Sequence, residues 1–545
     1  MATERSRRSA SASTSASASD DLHVTLPSRY TSLMITTLIV SAVLAAVPSV
    51  DDLNAVARLP GEPSVVSAVG MTRDDRPILT LENSSAFDAE STKRRVVVYA
   101  GASSDAASAA VLEAVRWFKT QAPRELRDQW SVSALPAVAF ADGDEKSFVR
   151  WCTFQAPDVA IEFVDEDARP IGFGADAHPW VVGPLQRNES FERILRGAKP
   201  GRSNVHETVR SRVSRDPLTI AKMLAAKYPG APSISYIPSV AWTGTLRLGS
   251  ITGDASWRAK VDRETSPWRS GDKPLFGDRI QLTAIAGTIV FADLAAAGDA
   301  RARALADQGA ALAMKEKAPG VTEYGGGWTD DMFMVTSVLA RAGARGDSQA
   351  LETAVRLLTA YASRLQRPDG LFNHAVDGPA AWGRGNGFAA FGLMEALTVM
   401  PASHPGRAAL LDVFRRHMAA VKQHVAPDGM WREVIDEPAS YREETATAML
   451  MTAMARGIRL GWLDASYRGT VDRAWRGLAA HVADDGTVID VCTSTGSGPT
   501  KRYYMDRQAI TGADDRGGAM ALAAAVEMYE LATMPRASRR RAASS

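Results

Sequence analysis

PDGLFNH (368–374) recurs along the chain as PDGMWRE (427–433) and DDGTVID (484–490). Each copy follows a long amphipathic run and leads into an Ala/Met/Gly-rich one. Gly370, Gly429 and Gly486 are 59 and 57 residues apart. A self-similar unit of this length marks a repeat architecture, and a glycine placed this way ends the turn that follows a helix. Working outward, two kinds of helix alternate. Residues 280–298, 332–344, 387–400, 445–461 and 517–532 are apolar nearly all round, which predicts burial on every side. Residues 299–316, 347–366, 406–425 and 467–482 carry Arg and Lys on one face. With 235–249 as a sixth inner run, and helices near 216–228 and 254–262 completing the outer set, the pattern predicts an (α/α)6 barrel over 216–535. An open solenoid of helix pairs is the structural alternative.

Upstream the pattern changes. Residues 58–200 read as a smaller α/β domain. RPILTLE (76–82), RRVVVYAG (94–101) and WSVSALPAVAF (130–140) are strand-like runs, and 103–123 has a helical apolar period between the last two. Strand, helix, strand predicts a βαβ unit. The polar stretch 196–207 reads as a linker. Residues 1–28 are rich in Ser and Ala, with Arg5, Arg7 and Arg8, a composition that cannot bury a core. LMITTLIVSAVLAAV (33–47) is shorter than the roughly twenty residues of a spanning helix and suits an export signal or an uncleaved anchor. Residues 1–50 are thus a tail plus export segment. An exported protein, periplasmic or extracellular, is expected, with membrane association through 33–47 as an option.

Composition excludes several classes. A formal net charge of +1 on 545 residues removes the electrostatic case for a nucleic-acid partner. Cys152 and Cys492, the two cysteines, cannot form a disulfide framework or a four-cysteine zinc site and read as small core residues. The eight histidines show no metal-ligand spacing, so neither metal nor organic cofactor is expected.

Consecutive inner helices of such a barrel run parallel, so their N-termini share one mouth. The residues there are Gly277-Asp278-Arg279, Trp328-Thr329-Asp330-Asp331, Trp382-Gly383-Arg384-Gly385-Asn386, Tyr441-Arg442-Glu443-Glu444 and Asp514-Asp515-Arg516. His374, Trp431, Lys501, Tyr503 and Tyr504 come from the loops. An acid near a helix start is ordinarily a cap or a dipole partner, the reading given to Asp331, Asp514 and Asp515. Acids, arginine and tryptophan at one mouth point further, because aromatic faces stack on sugar rings and guanidinium forks grip carboxylates. An anionic sugar fits. Glycoside hydrolysis needs paired acid and base carboxylates, and Asp278 and Asp330 open neighbouring inner helices.

At these residues the chain resembles glycoside hydrolase family 105, the unsaturated rhamnogalacturonyl hydrolases, and the related unsaturated glucuronyl hydrolases. WTDDMFM (328–334), WGRGNGF (382–388) and GLFNH (370–374) match the family's motifs, and CTSTGSGP (492–499) with Tyr503 and Tyr504 is similar to its late Gly-Thr loop. The resemblance implies Asp330 as catalytic acid, Asp278 as second functional acid, and sugar contacts at Met334, His374, Trp382, Arg384 and Phe388; Asn386 and Trp431 complete the candidate set. It also implies removal of a 4,5-unsaturated uronate from lyase-generated acidic oligosaccharides by hydration of the enol ether. Phe388 stands where the family often has Trp, and Glu323-Tyr324 precede the acid where some members have His. A hydrolase or lyase on saturated acidic glycans, or a glycan-binding protein without activity, are the alternatives. The α/β part resembles zinc carboxypeptidases of the carboxypeptidase A type, with Ser103 and Ala106 at the ligand positions. That implies a domain that has lost its metal.

Overall fold

The computed structural model describes residues 48–72, 74–83, 88, 90–100, 105–137, 145–164, 181–185 and 191–534. The tail, the 33–47 run and Ser103 lie outside the described residues. The α/β part comprises α1 (Val50–Ala57), β1 (Ser64–Met71), β2 (Pro77–Asn83), β3 (Arg94–Ala100), α2 (Asp105–Thr120), α3 (Arg124–Gln129), β4 (Trp130–Leu135), α4 (Glu145–Gln155), β5 (Val159–Phe163), β6 (Val181–Leu185) and α5 (Phe191–Gly197). The sheet order is β1-β2-β4-β3-β5-β6. β3 pairs parallel with β4 and β5, while β2 is antiparallel to β1 and β4. β3, α2 and β4 are the predicted βαβ unit. Val96, Val97, Val98 and Tyr99 are all buried, because α2 covers one face with Val111, Val115 and Phe118 and α4 covers the other with Phe148 and Trp151.

The remaining chain is helical: α6 (Asn204–Ser214), α7 (Pro217–Lys227), α8 (Tyr236–Thr252), α9 (Ala255–Ser270), α10 (Leu282–Ala286), α11 (Ile289–Ala296), α12 (Ala300–Ala313), α13 (Thr329–Met334), α14 (Thr336–Ala344), α15 (Ser348–Leu365), α16 (Gly383–Val399), α17 (Arg407–Gln423), α18 (Glu444–Arg459), α19 (Arg468–Ala480), α20 (Lys501–Met505) and α21 (Asp515–Thr533). Around the axis stand α8, α10–α11, α13–α14, α16, α18 and α21, each packed on the next, and α21 packs back on α8. That closure makes an (α/α)6 barrel and excludes an open solenoid. The outer ring is α7, α9, α12, α15, α17 and α19.

The three repeated turns are one structure used three times. Gly370, Gly429 and Gly486 have φ of 92°, 89° and 81°, the left-handed region where a Cβ is strained. Asp369, Asp428 and Asp485 each accept a hydrogen bond from the backbone N–H two residues on, at 3.0, 3.1 and 2.7 Å. Small residues let the inner helices come close. A Cβ at Gly392 of α16 would collide with the Met332 carbonyl of α13.

Two inner helices differ from the prediction. The second breaks at Gly287–Thr288 and the third at Val335. Gly287 passes so near the backbone at Ser235 that a Cβ would lie 2.6 Å from its nitrogen. The predicted linker is also corrected: α6 starts at Asn204 and packs on α19, and the described residues form one compact unit. Arg442 welds the sheet to the barrel, bonded to both oxygens of Glu82 at 2.7 and 2.8 Å and paired with Asp428 at 2.8 Å. Arg432 donates to Ser67 (2.9 Å), Arg150 pairs with Asp490 (3.0 Å), and Phe154 stacks on His481 (3.8 Å).

At the C-terminal ends of the inner helices a cavity of about 840 Å³ opens. Arg247, Arg341, Arg456 and Arg459 ring it, paired with Asp293, Glu395 and Glu527. Cations there complement the negative ends of the helix dipoles. Among the described residues, no helix is long and apolar enough to cross a membrane.

Candidate active site

Asp330 lies in the first turn of α13. Trp328 supplies no side-chain cap to this helix. Instead the Thr329 N–H donates to the His374 carbonyl at 2.9 Å, so the GLFNH segment anchors the helix start. The His374 ring is fully buried. Its Nε2 is 3.0 Å from Asp330 Oδ2, and its Nδ1 is 2.9 Å from the Tyr504 hydroxyl. Trp382, Trp328 and Tyr504 enclose it at ring distances of 4.5, 5.3 and 5.5 Å.

Asp331, beside it, points away from this chain. It accepts from Tyr361 Oη at 2.6 Å and from the Gly327 N–H at 2.8 Å, and so pins the YGGG turn against α15. Gly327 has φ 80°. Burial pushes the Asp331 carboxyl up to about 6, against the lowering effect of those bonds. Its sequence reading as a helix-start residue stands, with the turn as its purpose.

WGRGN is a structural motif here. Trp382 Nε1 donates to Glu433 at 2.9 Å. Asn386 accepts from the Phe372 N–H and donates to the Phe372 and Trp382 carbonyls at 2.9–3.0 Å. A Cβ at Gly385 would lie 2.7 Å from Thr329 Oγ1 and 2.9 Å from the Trp382 ring, so glycine lets α16 start directly against α13. Arg384 lies over the Trp382 ring at 4.8 Å and donates to the Cys492 and Thr493 carbonyls, each at 2.7 Å. Both terminal guanidinium nitrogens are thereby engaged by backbone.

Several expected sugar contacts are corrected. Phe388 is 1% exposed. It lies between Phe333 (5.9 Å, stacked), Tyr236 (5.6 Å) and Trp382 (6.4 Å). With Phe333 and Phe391 it plugs the lumen between the mouth and the far cavity, and it offers no free ring face. Trp431 is fully buried and donates to the Val421 carbonyl at 2.7 Å. Met334 belongs to the same core. Asp278 is not at a helix start. It lies in the loop before α10, exposed and, among the described residues, without a side-chain hydrogen bond or ion pair. The structure joins Asp330 to His374, where the sequence reading had joined it to a second carboxylate.

Four groups were missed as contacts. Tyr236, opening α8, has Arg384, Arg516, Asp330 and Asp514 as electrostatic neighbours, and burial raises its hydroxyl. The rule that found the other helix starts applies equally to it. Trp328 is half-buried and flanks Asp330. Arg516 forms a two-pronged pair with Asp514 at 3.0 and 2.8 Å. Glu433 takes the Trp382 N–H, and burial, with Glu443 adding, pushes it up to about 8. Glu444 is likewise driven well above the ordinary range by burial. Cys492, read as a core residue, is buried with its Sγ 3.0 Å from Glu433.

A closed six-by-six helical barrel with Asp330 on a buried histidine and tryptophans at its mouth is an architecture that glycoside hydrolases use. The model for Glycosyl Hydrolase Family 88 matches residues 219–532, and the chain belongs to that family. The unsaturated rhamnogalacturonyl hydrolase YesR of Bacillus subtilis (strain 168) is 27% identical over 177 residues, covering 31% of this chain and 50% of the relative. The unsaturated 3S-rhamnoglycuronyl hydrolase of Alteromonas sp. (strain LOR) is 26% identical over 113 residues, covering 20% and 27%. The chain thus spans half or less of the length of these curated relatives. The solved structure of a family 105 glycoside hydrolase from C. acetobutylicum ATCC 824 shares the fold with a TM-score of 0.53 at 17% identity, covering 58% of this chain and 99% of the other.

Proposed function

We propose that this protein is a glycoside hydrolase that removes a 4,5-unsaturated uronate from the non-reducing end of lyase-generated acidic oligosaccharides. The observation that carries the reading is Asp330 at the mouth, bonded at 3.0 Å to a fully buried histidine, in a chain of glycosyl hydrolase family 88 that is similar to an unsaturated rhamnogalacturonyl hydrolase and an unsaturated 3S-rhamnoglycuronyl hydrolase. Asp330 protonates C4 of the enol ether. The water oxygen then bonds to C5 and its proton returns to the Asp330 carboxylate. The hemiketal so formed opens, releasing a 5-keto-4-deoxyuronate and the shortened saccharide.

Each residue serves that path. Trp328 supplies the accessible ring beside the acid. The substrate carboxylate meets Arg516 through Nη1, the nitrogen its Asp514 pair does not use, and the Tyr236 hydroxyl; Arg384 shapes the 492–495 loop, its two terminal nitrogens each donating to a backbone carbonyl. Asp278, exposed and unpaired, is a second acid reaching the sugar from its loop. The saccharide is proposed to be of the rhamnogalacturonyl or 3S-rhamnoglycuronyl kind, after the two relatives. The α/β layer is a scaffold without a zinc role, and one tight zinc per chain by elemental analysis would contradict that. Export through 33–47 is part of the proposal and is checked by fractionation.

The test is an assay against unsaturated disaccharides from pectin, glycosaminoglycan and ulvan lyase digests. Wild type should remove the ultraviolet absorbance of the conjugated enol ether. Asp330→Asn should lose it while staying folded, and Asp278→Asn should lower kcat/KM about 10²-fold, the lower range of acid–base contributions. Near-wild-type turnover by Asp330→Asn refutes the assignment.

A further inference from the structure

The seventh residue of the repeated turn is His374 in the first copy, Glu433 in the second and Asp490 in the third. All three are buried. In each copy the backbone carbonyl of that residue accepts the N–H of the first residue of the preceding inner helix. The His374 carbonyl receives Thr329 of α13 at 2.9 Å, the Glu433 carbonyl receives Gly383 of α16 at 2.6 Å, and the Asp490 carbonyl receives Glu444 of α18 at 3.0 Å. One backbone geometry thus delivers an ionisable side chain to the start of three inner helices. The side chains then diverge. His374 turns to Asp330. Asp490 turns to Arg150 of the α/β part at 3.0 Å. Glu433 turns to Trp382, whose Nε1–H it accepts at 2.9 Å.

The Glu433 carboxyl is the hub of a closed set of contacts. Its Oε1 also receives the Cys492 S–H at 3.0 Å. Arg384 donates to the Cys492 carbonyl at 2.7 Å and lies over the Trp382 ring at 4.8 Å. The backbone is gripped at the same point, since a Cβ at Gly383 would collide with the Arg432 carbonyl and lie 3.2 Å from that of Glu433. Trp382 is 1% exposed, so its indole offers no face to a sugar; its ring lies instead 4.5 Å from the His374 ring. The other carboxyl oxygen of Glu433, Oε2, is buried without a hydrogen-bond partner among the described residues. A buried polar atom left unmet costs stability, and one kept in a native fold calls for a role.

We propose that Glu433 is a positioning residue for the mouth acid: it fixes the Trp382 indole, and the indole fixes the imidazole that meets Asp330. This inference rests on the hydrolase reading above and names what holds the acid's partner in place. Contact passes from Glu433 Oε1 to Trp382 Nε1, through the indole to the His374 ring, and from His374 Nε2 to Asp330 Oδ2. An indole deprived of its acceptor is free to turn, and the imidazole packed on it moves with it. Displacing a reacting group by about 1 Å costs up to about 10²-fold in rate. Glu433 and Trp382 are both buried, so neither grips the substrate and the loss falls on kcat.

The test compares three variants with wild type on whichever unsaturated disaccharide the wild type turns over, with kcat referred to the folded fraction. Glu433→Leu removes the acceptor and should lower kcat about 10- to 10²-fold, with KM changed less than about threefold. Trp382→Phe removes the N–H from the other side and should do the same, which keeps the test alive if Glu433→Leu does not fold. Glu433→Gln keeps an oxygen acceptor at that place and should stay within about threefold of wild type, since the indole is still held. A Glu433→Leu or Trp382→Phe protein that melts earlier yet keeps wild-type kcat overturns the proposal, as does a Glu433→Gln protein as slow as Glu433→Leu. NMR of the His374 ring, assigned by difference with His374→Gln, reads the same contact without substrate. Its ring protons lie in the ring current of Trp382, so they should shift in Glu433→Leu and hold their wild-type positions in Glu433→Gln. Unmoved signals in Glu433→Leu refute the positioning role. If the wild type turns over none of the disaccharides, the hydrolase reading fails by itself, and these signals still decide whether Glu433 holds the imidazole.

Discussion

Replacing Arg442 with methionine removes the one cation that, among the described residues, pairs directly with both Glu82 and Asp428, which are 1% and 6% exposed. The stem is kept and the charge is lost. A buried carboxylate left without its partner does not stay ionised when a proton is the easier route. That sets a ceiling on the cost. Bringing a glutamate of ordinary value about 4.3 to its neutral form at pH 7 costs about 1.4 kcal/mol for each of nearly three units, or about 4 kcal/mol. This falls within the ~3–5 kcal/mol seen when one side of a buried pair is removed. Arg432 stands near both acids and attracts them electrostatically, so the ceiling is set for one protonation. At pH 5 the same arithmetic leaves about 1 kcal/mol. Arg442→Met should therefore be destabilised by about 4 kcal/mol at pH 7 and by about 1 kcal/mol at pH 5, and adding Glu82→Gln should return most of the loss at pH 7. Urea unfolding followed by circular dichroism at both pH values measures it. A loss below about 1 kcal/mol at pH 7, or one independent of pH, refutes the view that this charge welds the sheet to the barrel.

Other outcomes follow from the same physics. Glu433 rises from 4.5 to about 8 through burial, so the folded state holds a proton that the unfolded chain has released. Its stabilising contribution is full below pH 4.5 and is lost as pH rises through 8; Glu433→Gln should flatten the fall of Tm between those limits. Asp331, raised to about 6, acts the same way between about pH 4 and 6. Tyr361→Phe removes its hydroxyl bond and should widen that window upward, read from thermal melts across pH. Gly392→Ala should cost about 1–3 kcal/mol, because the Met332 carbonyl occupies the space the methyl needs; a neutral substitution would mean α13 and α16 can separate freely.

The barrel was legible because its signal is periodic and local. A DG pair whose aspartate bonds two residues on and whose glycine takes positive φ is visible three times, and the all-round apolar helices between the copies leave few other packings. Asp330 and His374 were legible because both lie at a helix start or just beyond such a turn. Contact identity was not. Phe388 and Trp431 carry the right rings for a sugar, yet which face a ring turns to solvent depends on what packs behind it, and sequence spacing is silent on that. Phe333, one turn into α13, stacks against Phe388 and makes it a plug. The placement of Asp278 at a helix start failed for a related reason. Sequence marks the start of an apolar run but not the loop geometry before it, and three residues separate Asp278 from Leu282, the first residue of α10. The partner of Asp330 came from a neighbouring turn, since the Thr329–His374 backbone bond that caps α13 also delivers the imidazole. Helix capping and acid placement are thus one interaction in this mouth. A substitution that moves the GLFNH turn, Gly370→Ala among them, should disturb turnover as well as stability.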